Sequence, residues 1–128
     1  MIRAKWRCVR TFLRAATIFG MAASYDGASE YADKIEQELR RLNAWQPEPP
    51  PEAAFQSTRA FYADTMSFYQ WLQFVLLPRV RSVIAKRGHF PPKSQIGAYA
   101  VRELDGQHEA SELIELLSRF DQFIETAR

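Results

Sequence analysis

The sequence predicts an all-α fold, a compact bundle of about four helices around a long, proline-kinked, aromatic-rich central helix. Three observations carry that expectation. Apolar residues recur at steps of three and four in several segments, and no segment alternates with period two. The stretch Met66–Leu77, MSFYQWLQFVLL, is apolar at nine of its twelve positions. A chain of 128 residues makes one domain at most, and its 47% apolar content is enough for a core without staples. The single cysteine, Cys8, allows no intramolecular disulfide, and with two histidines it falls short of a four-ligand zinc site.

Residues 1–20 stand apart. Arg3, Lys5, Arg7, Arg10 and Arg14 meet no acid there. As a helix, the segment would set Arg3, Arg7, Arg10 and Arg14 on one face and Ile2, Trp6, Val9 and Leu13 beside them. Such a basic amphipathic leader suits an anionic surface or a targeting role. The change of composition at Met21 favours another reading: residues 1–20 lie outside the folded domain, Met21 is the start, and 21–128 is a single helical domain. No stretch approaches 18 consecutive apolar residues, so no transmembrane helix is expected.

A first helix is expected to begin at Asp26-Gly27, with Asp26 as N-cap, and to end near Asn43. Tyr31, Ile35, Leu39 and Leu42 form its apolar stripe. After Trp45, the run Gln46-Pro-Glu-Pro-Pro-Pro-Glu52 cannot be helical and reads as a stiff connector. Phe55, Ser57-Thr58 and Phe61 read as a loop pinned by aromatics, with Asp64 as a cap or loop anchor.

Ser67-x-x-Gln70 has capping-box spacing and opens the central helix. Ser67, Gln70 and Gln73 mark one polar flank, and the rest of the circumference is apolar, with Phe68, Trp71 and Phe74 on it. Such a helix is either the centre of a bundle or part of an interface, including one between copies of the chain. Pro78 removes one donor, but the apolar series continues in phase through Val80, Val83 and Ile84. One helix over about 67–87, kinked at Pro78, is therefore expected, with Gly88 as its C-cap. Ser94 caps a short helix carrying Ile96, Tyr99, Ala100 and Leu104. The last helix runs from about His108 to Ala127 on Leu113, Leu116, Leu117, Phe120 and Ile124.

No phosphate loop, dinucleotide fingerprint, nucleophile elbow or H-E-x-x-H motif occurs. His89 and His108 read as solvated turn residues, and no catalytic, metal or cofactor residue is assigned. Charge offers one feature. Residues 21–128 hold 12 basic and 15 acidic residues, yet Asp64 and Glu103 enclose an acid-free window with Arg79, Arg81, Lys86, Arg87, Lys93 and Arg102. A basic rim at 79–93 built on Arg79, Arg81, Lys86 and Arg87 is the candidate RNA contact. Helical geometry sets Arg79 and Lys86 on one side of the apolar stripe and Arg81 on the other. A solvated rim is the better reading.

The series Phe55-x-Ser57-Thr58, Phe61, Asp64-Thr65-Met66, Trp71-Leu72-Gln73, Val75 and Pro78-Arg79 resembles the YqcC-like family of small bacterial proteins. The resemblance covers about residues 30–127. It implies an all-helical, cytosolic protein and, by association with a tRNA pseudouridine synthase, an accessory role in tRNA modification. The favoured expectation is a non-enzymatic interaction module with a protein partner, docking through the basic rim or through the aromatics Phe61, Phe68, Trp71 and Phe74. The alternative is a direct RNA binder.

Overall fold

Small residues let the first helix lie close to its neighbours. Helix α1 spans Ala16–Arg41 and buries Tyr25, Ala28, Ala32, Ile35 and Leu39, spaced three and four apart. The computed structural model describes residues 16–126, with side chains over 25–126. The helix is already formed at Ala16, ten residues before the expected Asp26 cap, and runs straight through Asp26 and Gly27. Gly27 costs helix propensity, but a Cβ there would lie 2.7 Å from the Phe123 ring, so its absence admits that ring. Of the leader expected over 1–20, residues 1–15 lie outside the described residues. At the far end Asn43 adopts φ 58°, and the amides of Asn43 and Ala44 reach the carbonyls of Arg40 and Leu39, which is a Schellman motif.

The connector is held from the central helix. Gln46 donates its amide to Gln73 Oε1 at 2.9 Å, and its carbonyl accepts from Gln73 Nε2 at 2.8 Å. Gln70 Nε2 reaches Gln46 Oε1 at 3.3 Å. The flank of Gln70 and Gln73 therefore faces the connector, and Gln73 is buried. An amide side chain satisfies both backbone groups of Gln46 where water would otherwise be needed. Short 3-10 turns follow at Glu52–Gln56 and Ala60–Tyr62. Asp64 anchors this loop as expected, accepting from the Ser57 hydroxyl at 2.5 Å.

Helix α2 covers 68–86 without a break, as Phe68–Trp71, a π-helical turn Leu72–Leu76, and Leu77–Lys86. Its capping box is complete: Ser67 Oγ accepts from the Gln70 amide, and Gln70 Oε1 accepts from the Ser67 amide. The irregularity shown is the π turn rather than a kink at Pro78. Pro78 removes the donor that the Phe74 carbonyl would accept, and its ring needs room there, which a widened turn supplies. The C-terminus differs from expectation by one residue. Arg87, not Gly88, takes the left-handed position, at φ 54°, while the Gly88 amide reaches Val83 O at 2.9 Å. The arginine is held there with its guanidinium 5.3 Å from the Tyr25 ring centre, and the Tyr25 hydroxyl donates to Gly88 O.

Helix α3 spans Ile96–Glu103 and α4 spans Ser111–Thr126. Gly97 lets them touch: a Cβ there would lie 2.8 Å from Ser118 Cα. Ser94 was expected to cap α3, but Asp121 of α4 does so from across the interface. Its carboxylate accepts from the amides of Ile96 at 3.1 Å and Gly97 at 2.6 Å, and from the Ser94 hydroxyl at 2.5 Å. Orphan donors at a helix start thus meet a buried anion. The α4 helix packs against both α3 and α1, and α1 packs against the second half of α2. Trp71, Leu72, Leu77, Leu113, Leu117 and Phe120 fill the centre. The described residues are all helix, turn and loop, and none of their helices is long and apolar enough to cross a membrane.

Candidate functional site

The four basic residues of the expected rim face different neighbours. Arg81 reaches across to α1 and pairs with Glu36 at 3.0 Å and Asp33 at 3.4 Å. Burial works against ionisation of Glu36, but hydrogen bonds from Arg81 and then Arg40, with their charges, outweigh it and hold its pKa below the usual glutamate value. Arg87 lies over Tyr25. Lys86 is exposed beside it in the sequence. Arg79 donates to the Tyr62 hydroxyl at 3.2 Å, and among the described residues no carboxylate pairs with it. The rim is thus one guanidinium on a neutral hydroxyl, one neutralised by carboxylates, one stacked on a ring and one exposed ammonium, not a continuous basic strip.

The aromatics divide as well. Phe68 and Trp71 are each 6% exposed and belong to the core. Phe61 and Phe74 are half-buried. Phe61 carries φ 57° and Tyr62 φ 50°, two consecutive side chains in a region that disfavours them. That backbone lays Phe61 flat on Tyr99, with ring centres 4.0 Å apart and planes 8° from parallel, and edge-on to Trp71 at 4.8 Å. It also sets the Tyr62 hydroxyl against Arg79. Such strain persists where the surroundings fix it, and it collects at working surfaces.

Tyr99 was legible only as one apolar position of a helical stripe, because no local spacing signals a partner 38 positions upstream. Burial and then the Glu103 carboxylate push its hydroxyl above the ordinary tyrosine value, while Arg102 and Arg59 act in the opposite sense. Arg102 sits 5.9 Å from the ring centre. Phe61, Tyr62 and Tyr99 with Arg79 and Arg102 therefore form an aromatic and cationic surface joining the 60–62 turn, α2 and α3.

Beside it opens an apolar cavity of about 200 Å³ between α2, α4 and the 90–96 segment, lined by Trp71, Val80, Val83, Phe90, Phe120 and Ile124, with Arg79 also on its wall. The two nearby carboxylates are occupied: Asp121 by Ser94, Ile96 and Gly97, and Glu125 by the Ser94 amide at 3.2 Å. His89 and His108 are exposed. Among the described residues no three His, Cys, Asp or Glu side chains gather closely enough to hold a metal ion.

A family described as "tRNA pseudouridine synthase C", DUF446, matches residues 28–123. An uncharacterized protein of Haemophilus influenzae is 31% identical over 85 residues, which cover 66% of this chain and 80% of that protein. Uncharacterized protein YqcC of Escherichia coli is 31% identical over 80 residues, covering 62% of this chain and 73% of that one. A solution NMR structure of protein YqcC from E. coli shares the fold, with a TM-score of 0.74 at 24% identity over 82% of this chain and 91% of that chain. A tRNA pseudouridine synthase C of Pectobacterium carotovorum is 48% identical over 50 residues, which are 39% of this chain and only 13% of that protein.

Proposed function

Since this chain belongs to the DUF446, YqcC-like family, we propose that it is a non-enzymatic docking module that acts beside a tRNA-modifying enzyme of the pseudouridine synthase C type. One observation carries the reading: a segment closely similar to part of this chain occurs in a much longer polypeptide named for that synthase. A module tolerated within the enzyme's own chain is suited to working next to it as a separate chain, since tethering only raises the effective concentration of a contact. The geometry is compatible. The aromatic and cationic surface offers anchors of the kinds that dominate protein interfaces, Tyr and Arg among them.

Direct RNA binding has less support, because Arg81 is neutralised by α1 and Arg87 is stacked. The test is to mix the full chain with the synthase from the same host and follow complex formation by sedimentation, with and without nuclease. Nuclease-resistant association is expected. Absence of a complex, together with tight and salt-steep binding of the chain alone to tRNA, would replace docking with RNA recognition.

A further inference from the structure

The cavity beside Arg79 has features that the docking reading does not yet use. Its volume of about 200 Å³ is small. Pockets for drug-sized ligands span about 300–1,000 Å³, whereas an engineered apolar cavity of about 150 Å³ is enough for benzene. The space therefore suits a single large apolar side chain. Its walls come from helices α2 and α4, from Ile96 at the start of α3, and from Phe90, Pro91 and Ser94 of the connecting segment. Two of the wall residues, Trp71 and Phe120, are held by core packing, so the site exists without an occupant to shape it.

The charge on its wall has one sign to offer. Arg79 is exposed, and among the described residues its one side-chain partner is the neutral Tyr62 hydroxyl and no carboxylate pairs with it. Lys93 follows Phe90-Pro-Pro on the segment that closes the cavity, and it too is exposed. The carboxylates on the α4 side, Asp121 and Glu125, are engaged with the backbone of residues 94–97. A guanidinium left over next to a desolvated apolar pocket is the complement of an acid next to an apolar anchor.

We propose that this cavity and Arg79 form the anchor site for a partner protein, taking one aromatic or branched apolar side chain from a segment that is acidic on either side of it. The inference rests on the docking reading and specifies where and what the module grips. The anchor is desolvated in the pocket, and its acidic neighbour meets Arg79 in bidentate fashion, an arrangement that concentrates binding energy in few residues. The Tyr62 hydroxyl, held by the strained 61–62 turn, keeps the guanidinium at the wall until the acid arrives.

Three blocked tripeptides test the site on the full chain by titration followed at the Trp71 indole resonance: Asp-Phe-Asp, Asp-Ala-Asp and Lys-Phe-Lys. Saturable binding of the first, at least about tenfold tighter than either other, is expected, since a buried anchor or a charge pair at a hot spot is worth that much or more. Val83→Phe, which fills the cavity from its wall, should abolish the preference for the phenylalanine. Arg79→Glu, on an exposed position that leaves the core intact, should remove the preference for acidic flanks. Equal binding of all three peptides, or of none, overturns the proposal. Binding of Lys-Phe-Lys as tight as Asp-Phe-Asp also overturns it, because it leaves a cavity for small apolar molecules only.

The synthase arm separates the two readings. If the wild-type chain binds the synthase and folded Arg79→Glu and Val83→Phe chains bind equally well, the anchor site fails while docking stands. A loss of about tenfold in both supports the anchor site. If the wild-type chain does not bind the synthase, docking to that enzyme fails, and the peptide titration alone decides the site.

Discussion

Asp121 shows how much one side chain can organise. It sits 8% exposed on α4, yet its bonds go to Ser94, Ile96 and Gly97 at the start of α3. A buried carboxylate is costly unless its lone pairs are used, and here three donors use them. Removing the acceptor strands two backbone amides and a hydroxyl away from water. Asp121→Ala should therefore cost about 3 kcal/mol, on the order of one or two hydrogen bonds to a charged group. Ser94→Ala should cost only about 1 kcal/mol, because Asp121 keeps both amides. Urea unfolding of the two variants measures the difference. Equal losses would show that Ser94 itself, as its spacing before Ile96 suggests, is the cap. The sequence could not reveal Asp121 as the cap, because the residues it serves lie 24 to 27 positions away and only the folded α3–α4 contact joins them.

Elements were legible to the extent that their determinants are local. The capping box at Ser67 and Gln70, the stripe of Ile35 and Leu39, and the stop at Asn43 all act within a few residues, and the structure places each where its spacing predicts. The start of α1 was misplaced because Asp-Gly resembles a cap, while Gly27 is there for the Phe123 ring across the interface. The polar flank of α2 was legible as a flank but not as a clasp for Gln46, and the aromatic surface was hidden because Phe61 meets Tyr99 through a strained turn. Close helix contacts have a sharp test. In Gly97→Ala the new methyl would meet the Ser118 backbone 2.8 and 2.9 Å away, which cannot rotate aside as a side chain can. Helices α3 and α4 must part, and the loss should be about 2 kcal/mol, as for overpacked interiors, despite the better helix propensity of alanine. Gly27→Ala meets only the movable ring of the half-buried Phe123, so it should cost less. Thermal unfolding ranks the two, and the reverse order would mean that α3 and α4 have slack.

At the scale of the whole molecule, charge joins helices at two places among the described residues: Arg81 of α2 pairs with Asp33 and Glu36 of α1, and Arg41 of α1 pairs with Glu112 of α4. The joint of α1 and α2 runs through Glu36, whose pKa is held low in the folded chain by Arg81 and Arg40 against the effect of burial. A carboxyl with a lowered folded pKa adds stability above its unfolded pKa, and that stability is lost as pH falls through the folded value. The wild-type chain should therefore exceed Glu36→Gln in melting temperature at neutral pH, with the gap closing below the usual glutamate range. Because the pair is partly exposed, the gap should be small and should shrink with salt. A gap that persisted at low pH would mean that packing, not charge, distinguishes the two side chains.

The same arrangement bears on RNA. The chain as a whole carries 17 basic and 15 acidic residues, but within 21–128 the acids outnumber the bases by 15 to 12. A nucleic-acid surface needs several cations free to displace counterions together, each adding about 0.9 to the slope of log K against log salt on a duplex. Arg81 would first have to leave Glu36 and Asp33, and Arg87 would have to leave Tyr25 and the end of α2. Replacing Arg79, Arg81, Lys86 and Arg87 together by glutamine should consequently change the salt slope for tRNA by no more than about one or two units, well short of four independent contacts. The same four changes should slow association with the synthase more than they hasten its dissociation wherever the charges act at the edge of the contact, with Arg79→Gln alone also raising the dissociation rate. Filter binding of tRNA across a salt series, alongside stopped-flow association with the synthase, reads both quantities. A drop of about four units in the salt slope would make the four residues one RNA-binding strip after all.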